Sequence, residues 1–296
     1  RVPISATAQS SALAAFFGED SMRELFFLSC GGFRAPRGLV FPEPVWTPST
    51  ARLSLTVAVC VRDDGSLLLV DAGWSEAVCE DPVGQLGRAR ATSLGIQVRP
   101  EDAVSIQLAE LGFDPGQVKT IVATHLHLDH VNGAADFPNA EIVTTPDELR
   151  AFSGLTRDLG YRAGDLAAAE RIRVVRMRGG ARYGFLSSLD LFGDDEVVLL
   201  EAEGHTPGHL AVALRGPQGL FIHVGDAVYH AWEWAQDAEP SRLAKLLGVD
   251  KAAMRRTYAR LRACRDDAAK PVLVPSHDRQ VFESLTHRPA TARAAG

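Results

Sequence analysis

Near the middle of the chain, Thr124-His125-Leu126-His127-Leu128-Asp129-His130 sets three imidazoles and a carboxylate within six positions. Neutral imidazole and carboxylate are the ligand set of zinc and similar first-row metals. In an extended loop, residues at i and i+2 point the same way, so His125 and His127 could share one ion. Asp129 and His130 are adjacent and point apart, which suits a second ion nearby. The alternative is a polar surface loop. Histidine is scarce here, nine residues in 296, and three of the nine in one short stretch beside an aspartate favours metal ligation over chance.

Such a cluster needs a rigid support. Residues 120–123 are an apolar run that predicts a buried strand, and 131–135 predict a turn into a new element. The histidines therefore fall on a loop at a strand's C-terminal end, where α/β proteins usually place their sites. Three more predicted strands end in the same manner. Residues 197–200 lead to Gly204-His205-Thr206-Pro207-Gly208-His209. The hairpin 210–214 and 220–224 leads to Gly225-Asp226-Ala227, and 271–275 leads to Ser276-His277-Asp278.

The remaining elements frame these loops. Strands are predicted at 24–30, 52–61, 67–70, 141–145 and 171–175, and helices at 104–111, 146–152, 241–248 and 250–264. Asp63-Asp64-Gly65 supplies a hairpin turn. Asp71, closing the strand at 67–70, fits a hydrogen-bond acceptor that braces a loop better than a ligand. Prolines keep 41–46 out of regular elements. The order suggests two sheets face to face with helices outside. Residues 1–20 predict a flexible arm, and 21–296 a single domain with an insertion or lid at 153–195.

Composition narrows the function. A hydrophobic fraction of 46%, a charged fraction of 23% and a net charge of −6 fit a globular enzyme and give no basic patch for nucleic acid. No run approaches the ~20 apolar residues of a membrane span. Cys30, Cys60, Cys79 and Cys264 are widely spaced and predict free, mostly buried thiols. No charged n-region precedes an apolar core, so a signal peptide is not predicted and a cytoplasmic protein is expected.

At this point the motifs resemble the metallo-β-lactamase superfamily: His-x-His-x-Asp-His at 125–130, Gly-His-Thr-Pro-Gly-His at 204–209, Gly-Asp at 225–226 and Ser-His at 276–277. The resemblance runs from about residue 53 to about residue 280. It implies a four-layer αβ/βα sandwich of two mixed sheets with a two-metal site at one edge. His125, His127 and His205 would hold metal one; Asp129, His130 and His277 would hold metal two; Asp226 would bridge both. The ions would be zinc, with iron, manganese or cobalt as alternatives. β-Lactamases proper usually lack a histidine matching His130, and the common ones carry cysteine where Asp226 stands, which argues against antibiotic hydrolysis.

Within the superfamily the chain is most similar to N-acyl-homoserine lactone lactonases, through Gly225-Asp226-Ala227-Val228-Tyr229, His130-Val131-Asn132-Gly133 and Pro275-Ser276-His277-Asp278. The resemblance implies a lactone hydrolase in which a metal-bridging hydroxide attacks. Tyr229 would donate to the substrate carbonyl, its alternative being a core tyrosine, and Asp129 would also shuttle a proton to the leaving alkoxide. The implied partner is a small molecule, with no nucleic acid or membrane, in a possible homodimer. A thioester, aryl-ester or phosphotriester hydrolase is the alternative, and a non-catalytic metal-binding protein a lesser one. His209 is expected to support the site, His223 to lie in the core, and His230 at a pocket mouth or a helix start. Asp71 and Asp278 are expected to orient ligands. Phe33, Phe41, Trp46, Trp74, Trp232 and Trp234 are candidates to line an acyl groove.

Overall fold

Side chains of the strand Thr50–Arg62 point alternately to two faces, and both faces are buried. Leu55, Val57, Val59 and Val61 belong to one core and Ala58 and Cys60 to another. A strand of this kind must lie inside a stack of layers. The computed structural model describes residues 22–154, 160–162, 171–235 and 238–285, and within them it contains such a stack.

The first sheet consists of Met22–Pro36 (β1), Thr50–Arg62 (β2), Leu67–Val70 (β3), Ile96–Gln97 (β4), Val118–Val122 (β5), Glu141–Thr144 (β6) and Ile172–Val174 (β7), in the order β4-β1-β2-β3-β5-β6-β7. The second consists of Ser188–Asp190 (β8), Val197–Glu201 (β9), Leu210–Gly216 (β10), Gly219–Gly225 (β11) and Val272–Pro275 (β12), in the order β12-β11-β10-β9-β8. Both sheets are mixed. β3, β5, β6 and β7 run parallel, as do β11 and β12, and the other pairs are antiparallel.

Between the sheets, Leu25, Cys60, Leu68, Val70 and Val122 share one core with Val197, Leu199, Leu210, Val212 and Leu214. The outer face of the first sheet packs with Val104 and Leu108 of the helix Val104–Glu110. The outer face of the second packs on Tyr258 and Leu261 of the helix Lys251–Arg265. Asp250 caps that helix, accepting from Ala252 and Ala253 N–H at 2.8 and 3.0 Å. Met254, Tyr258 and Leu261 form its buried stripe. The result is the expected four-layer αβ/βα sandwich.

The structure departs from the sequence expectation in several places. β1 continues past residue 30 to Pro36 across a bulge between Ser29 and Gly32. A Cβ at Gly32 would lie 1.9 Å from Leu53 O, so only glycine lets β1 stay beside β2 there. The short helices Glu76–Glu80, Pro82–Leu86, Arg88–Ser93 and Arg279–Ser284 were not expected. The described part of 153–195 contributes β7 to one sheet and β8 to the other, while 155–159, 163–170 and the arm at 1–20 lie outside the described residues. All four cysteines are free and buried, as expected. No described helix is long and apolar enough to cross a membrane.

Candidate metal centre

The parallel pairs β3/β5 and β11/β12 bring the C-terminal ends of strands from both sheets to one edge. There the loop after β5 carries His125 and His127, and the short helix Leu128–Val131 that follows it carries Asp129 and His130. The β9–β10 turn carries His205, and the ends of β11 and β12 are followed by Asp226 and His277. All seven expected residues converge. Their ligating atoms form three groups, each within 4.8 Å: His125, His127 and His205; His125, His130 and Asp226; Asp129, His130 and His277. Asp226 is central, with Oδ1 3.1 Å from His277 Nε2 and 3.3 Å from His130 Nε2, and Oδ2 3.5 Å from His205 Nε2. Asp129 Oδ2 lies 3.3 Å from His130 Nε2 and 3.7 Å from His277 Nε2.

These spacings fit metal ions. Tetrahedral nitrogen and oxygen ligands about 2.0–2.1 Å from zinc lie about 3.3 Å from one another. His125 Nε2 is buried and makes no hydrogen bond among the described residues, a costly state that a cation would relieve. Burial, reinforced by the neighbouring imidazoles His130, His127 and His205, pushes His125 well below the usual histidine range, so it stays neutral and able to ligate. Burial alone would raise the Asp226 carboxyl, but His277 and His130 outweigh it and hold Asp226 well below the usual carboxylate range.

The opposite ring nitrogens are fixed from behind. Asp71, at φ +63°, accepts from His130 Nδ1 at 2.7 Å, Thr124 N–H at 2.8 Å and Thr124 Oγ1 at 2.9 Å. Thr124 Oγ1 in turn lies 3.1 Å from His125 Nδ1. His277 Nδ1 donates to Ser54 O at 2.6 Å. Such partners set which nitrogen faces the metal, so Asp71 braces and orients as expected. His209 supports the site by accepting from Asp226 N–H at 3.1 Å, and His223 is a core residue donating to Thr56 O at 3.0 Å.

Asp278 serves chiefly as a cap. It accepts from Gln280, Val281 and Ala231 N–H, and its Oδ2 lies 3.5 Å from His230 Nδ1. His230 is buried at the start of the helix Ala231–Ala235, with its ring 5.0 Å from Phe41, and does not line the cavity.

Sequence reasoning missed Glu148. In Thr145-Pro146-Asp147-Glu148 it looks like the acid of a capping box. Instead it is buried and accepts from Leu126 N–H, Tyr161 OH, Thr206 OH and Gly208 N–H. Tyr161, whose ring centroid is 4.8 Å from that of His127, was likewise missed.

A cavity of about 610 Å³ opens onto Asp129, Asp226, His205, His277 and Tyr229. Tyr229 is buried, with its ring stacked on His277 at 5.2 Å. Burial, together with Asp226 and Asp129, pushes its phenol well above the usual value, so it remains a donor. The expected aromatic groove is not found. Of the six candidates only Phe33 lines the cavity. Trp74 and Trp234 are buried in the cores, Phe41 packs on His230 and Arg37, and Trp46 is 81% exposed. The wall is aliphatic instead: Leu39, Leu53, Leu94, Leu243, Leu246 and Leu247.

A four-layer sandwich with histidines and carboxylates gathered where its two sheets meet is the architecture of a metal-site protein. The chain belongs to the metallo-β-lactamase superfamily, whose family description matches residues 51–277. A Mycobacterium tuberculosis relative named "Probable metallo-hydrolase" is 37% identical over 175 residues, covering 57% of this chain and 56% of the relative. The chain thus spans only about half the length of that relative. "N-acyl homoserine lactonase AttM" of Rhizobium radiobacter is 28% identical over 237 residues, covering 77% and 84%. Among solved structures, B. thuringiensis AiiA with N-decanoyl-L-homoserine bound at its active site aligns with a TM-score of 0.72 at 20% identity, covering 89% and 96%. AidC, a dizinc quorum-quenching lactonase, aligns with a TM-score of 0.59 at 15% identity, covering 89% and 90%. These two likenesses establish the shared fold.

Proposed function

We propose that this chain is a metal-dependent hydrolase that opens lactone rings, with N-acyl-homoserine lactones as its substrate class. The observation that carries this reading is the Asp226 carboxylate set between His205 on one side and His130 and His277 on the other. His125, His127 and His205 would hold one divalent ion, and Asp129, His130 and His277 a second, with Asp226 shared. Zinc is the first candidate for both, and iron, manganese and cobalt are alternatives with the same donors. When bound, such a pair supplies a water acidic enough to attack at neutral pH and positive charge for the leaving oxygen.

The chain's own residues do the rest. Tyr229, kept protonated, offers its phenol to the carbonyl oxygen as that oxygen gains charge. Against the effect of burial, His130 and His277 hold Asp129 ionised, so it takes a proton from the attacking water and returns it to the ring oxygen as the C–O bond breaks. The water's oxygen ends in the new carboxylate and one of its protons on the leaving alcohol, the other going to solvent. Asp129 suits this task because its side chain keeps 14% of its surface exposed at the cavity. The cavity volume is that of a small-molecule site, and its aliphatic wall suits an acyl tail. The lactonase names among the relatives support the substrate class. A hydrolysis panel of lactones, thioesters and phosphotriesters, with metal content measured on the same sample, tests the proposal. Ring opening with bound metal is expected. Brisk thioester or phosphotriester hydrolysis without ring opening would replace it with the alternative.

A further inference from the structure

We infer that Glu148 is a positioning residue that holds together the His125, His127 and His205 half of the site and sets the affinity of that half for its ion. The inference rests on the two-ion reading above. Glu148 lies in the first turn of the helix Pro146–Ser153 and is 1% exposed. Its Oε1 accepts from Leu126 N–H at 2.9 Å and Tyr161 OH at 2.8 Å, and its Oε2 from Thr206 OH at 2.6 Å and Gly208 N–H at 3.1 Å. Among the described residues no arginine or lysine pairs with it, so these donors are what make a buried carboxylate tolerable.

The positions of the donors give the carboxylate its meaning. Leu126 separates His125 from His127, and Thr206 follows His205. Tyr161 sets its ring edge-on against His127. One carboxylate therefore joins the two loops that supply this half. The other half is oriented by different groups, Asp71 behind His130 and Ser54 O behind His277. The turn after His205 is also pressed onto the helix start. A Cβ at Gly208 would lie 2.2 Å from Glu148 N and 2.6 Å from Glu148 Cβ.

Glutamine cannot replace this carboxylate. It offers one oxygen and one amide NH₂. The hydroxyls of Tyr161 and Thr206 can rotate to accept, but the backbone N–H groups of Leu126 and Gly208 cannot. In either orientation the amide sets a donor against one of them, releasing one loop while holding the other.

The test is zinc titration of metal-free protein against a chromogenic chelator. His205→Ala and His277→Ala identify which binding step belongs to which half. Glu148→Gln should weaken the step lost in His205→Ala by roughly 10–100-fold and leave the other step unchanged. Thr206→Val, which removes one donor of similar shape, should weaken the same step by less, and it decides the matter if Glu148→Gln does not fold. The melting temperature of each metal-free variant is measured alongside. Wild-type affinity at both steps would overturn the inference. So would an equal loss at both that tracks a lowered melting temperature, because that is what a purely structural carboxylate would do. Wild-type protein that takes up no zinc is a separate outcome and overturns the two-ion reading itself.

Discussion

Truncating Leu246 would separate a substrate-covering role from a packing role. Leu246 stands on the helix Arg242–Leu247, lines the cavity and is 70% exposed, beside Leu247 at 46% and Val249 at 59%. Full burial of a leucine side chain is worth about 1.5–3 kcal/mol. With 70% of its surface open, covering Leu246 by an apolar tail should contribute about 1–2 kcal/mol. Alanine keeps Cβ, so Leu246→Ala should forfeit the lower part of that, about 1 kcal/mol, or roughly fivefold in kcat/KM. The loss should appear only for tails long enough to reach it. Dodecanoyl-homoserine lactone should lose about fivefold while the butanoyl compound is unchanged, and stability should stay within about 0.5 kcal/mol because an exposed side chain packs little. Steady-state kinetics on a chain-length series measures this. An equal loss on the short and long lactones, or none on the long one, would refute the aliphatic wall as the tail site.

Asp226→Ala should lower the metal content by elemental analysis and abolish turnover, since it removes the carboxylate between both histidine groups; full turnover with a single ion would contradict the shared-ligand assignment. Tyr229→Phe should keep the metal content and lose about tenfold in kcat/KM, about 1.4 kcal/mol, whereas unchanged kinetics on every substrate would reduce Tyr229 to packing on His277. Burial pushes Asp136 up to about 6, so between about pH 4 and pH 6 the folded chain holds a proton that the unfolded chain releases, and stability falls as pH rises through that window. Asp136→Asn keeps an acceptor for Glu76 N–H, now at 2.9 Å, and should flatten that part of the melting-temperature profile; an unchanged slope would assign it to another group.

The convergence of the seven candidate ligands was legible because these residues are chemically rare and follow strands whose apolar runs are short and bounded. His205, Asp226 and His277 each come within four residues of such a run. Asp71 was legible for a related reason, as an acid closing a buried strand. Glu148 was not, because its sequence context matches an ordinary helix start and its donors come from loops 22 and 60 residues away. The cavity wall was not legible because the aromatic character of the candidate side chains does not say whether they face a cavity or a core. Which of them face the cavity depends on sheet register and helix rotation, and Trp74 and Trp234 turn into the cores. The short helices escaped because segments of 4–6 residues carry too little periodicity to register.

The two sheets are joined by more than apolar contact at the edge that matters. The core between them is built mostly of valine and leucine, which favours burial but does not fix how one sheet is placed along the other. Directional bonds at the metal edge supply that placement. Thr56 N–H donates to Ser276 O at 2.9 Å, Leu210 N–H to Thr124 O at 2.7 Å, and the His223 and His277 rings to Thr56 O and Ser54 O. Each runs from a strand of one sheet to a strand of the other or to the segment directly after one, and two involve residues adjacent to candidate ligands, Thr124 beside His125 and Ser276 beside His277. The chain therefore holds the candidate ligands from both sheets in place through bonds that require no ion. The conformational cost of gathering seven side chains from four separate segments falls on folding, which would leave more of the interaction with a bound ion to appear as affinity.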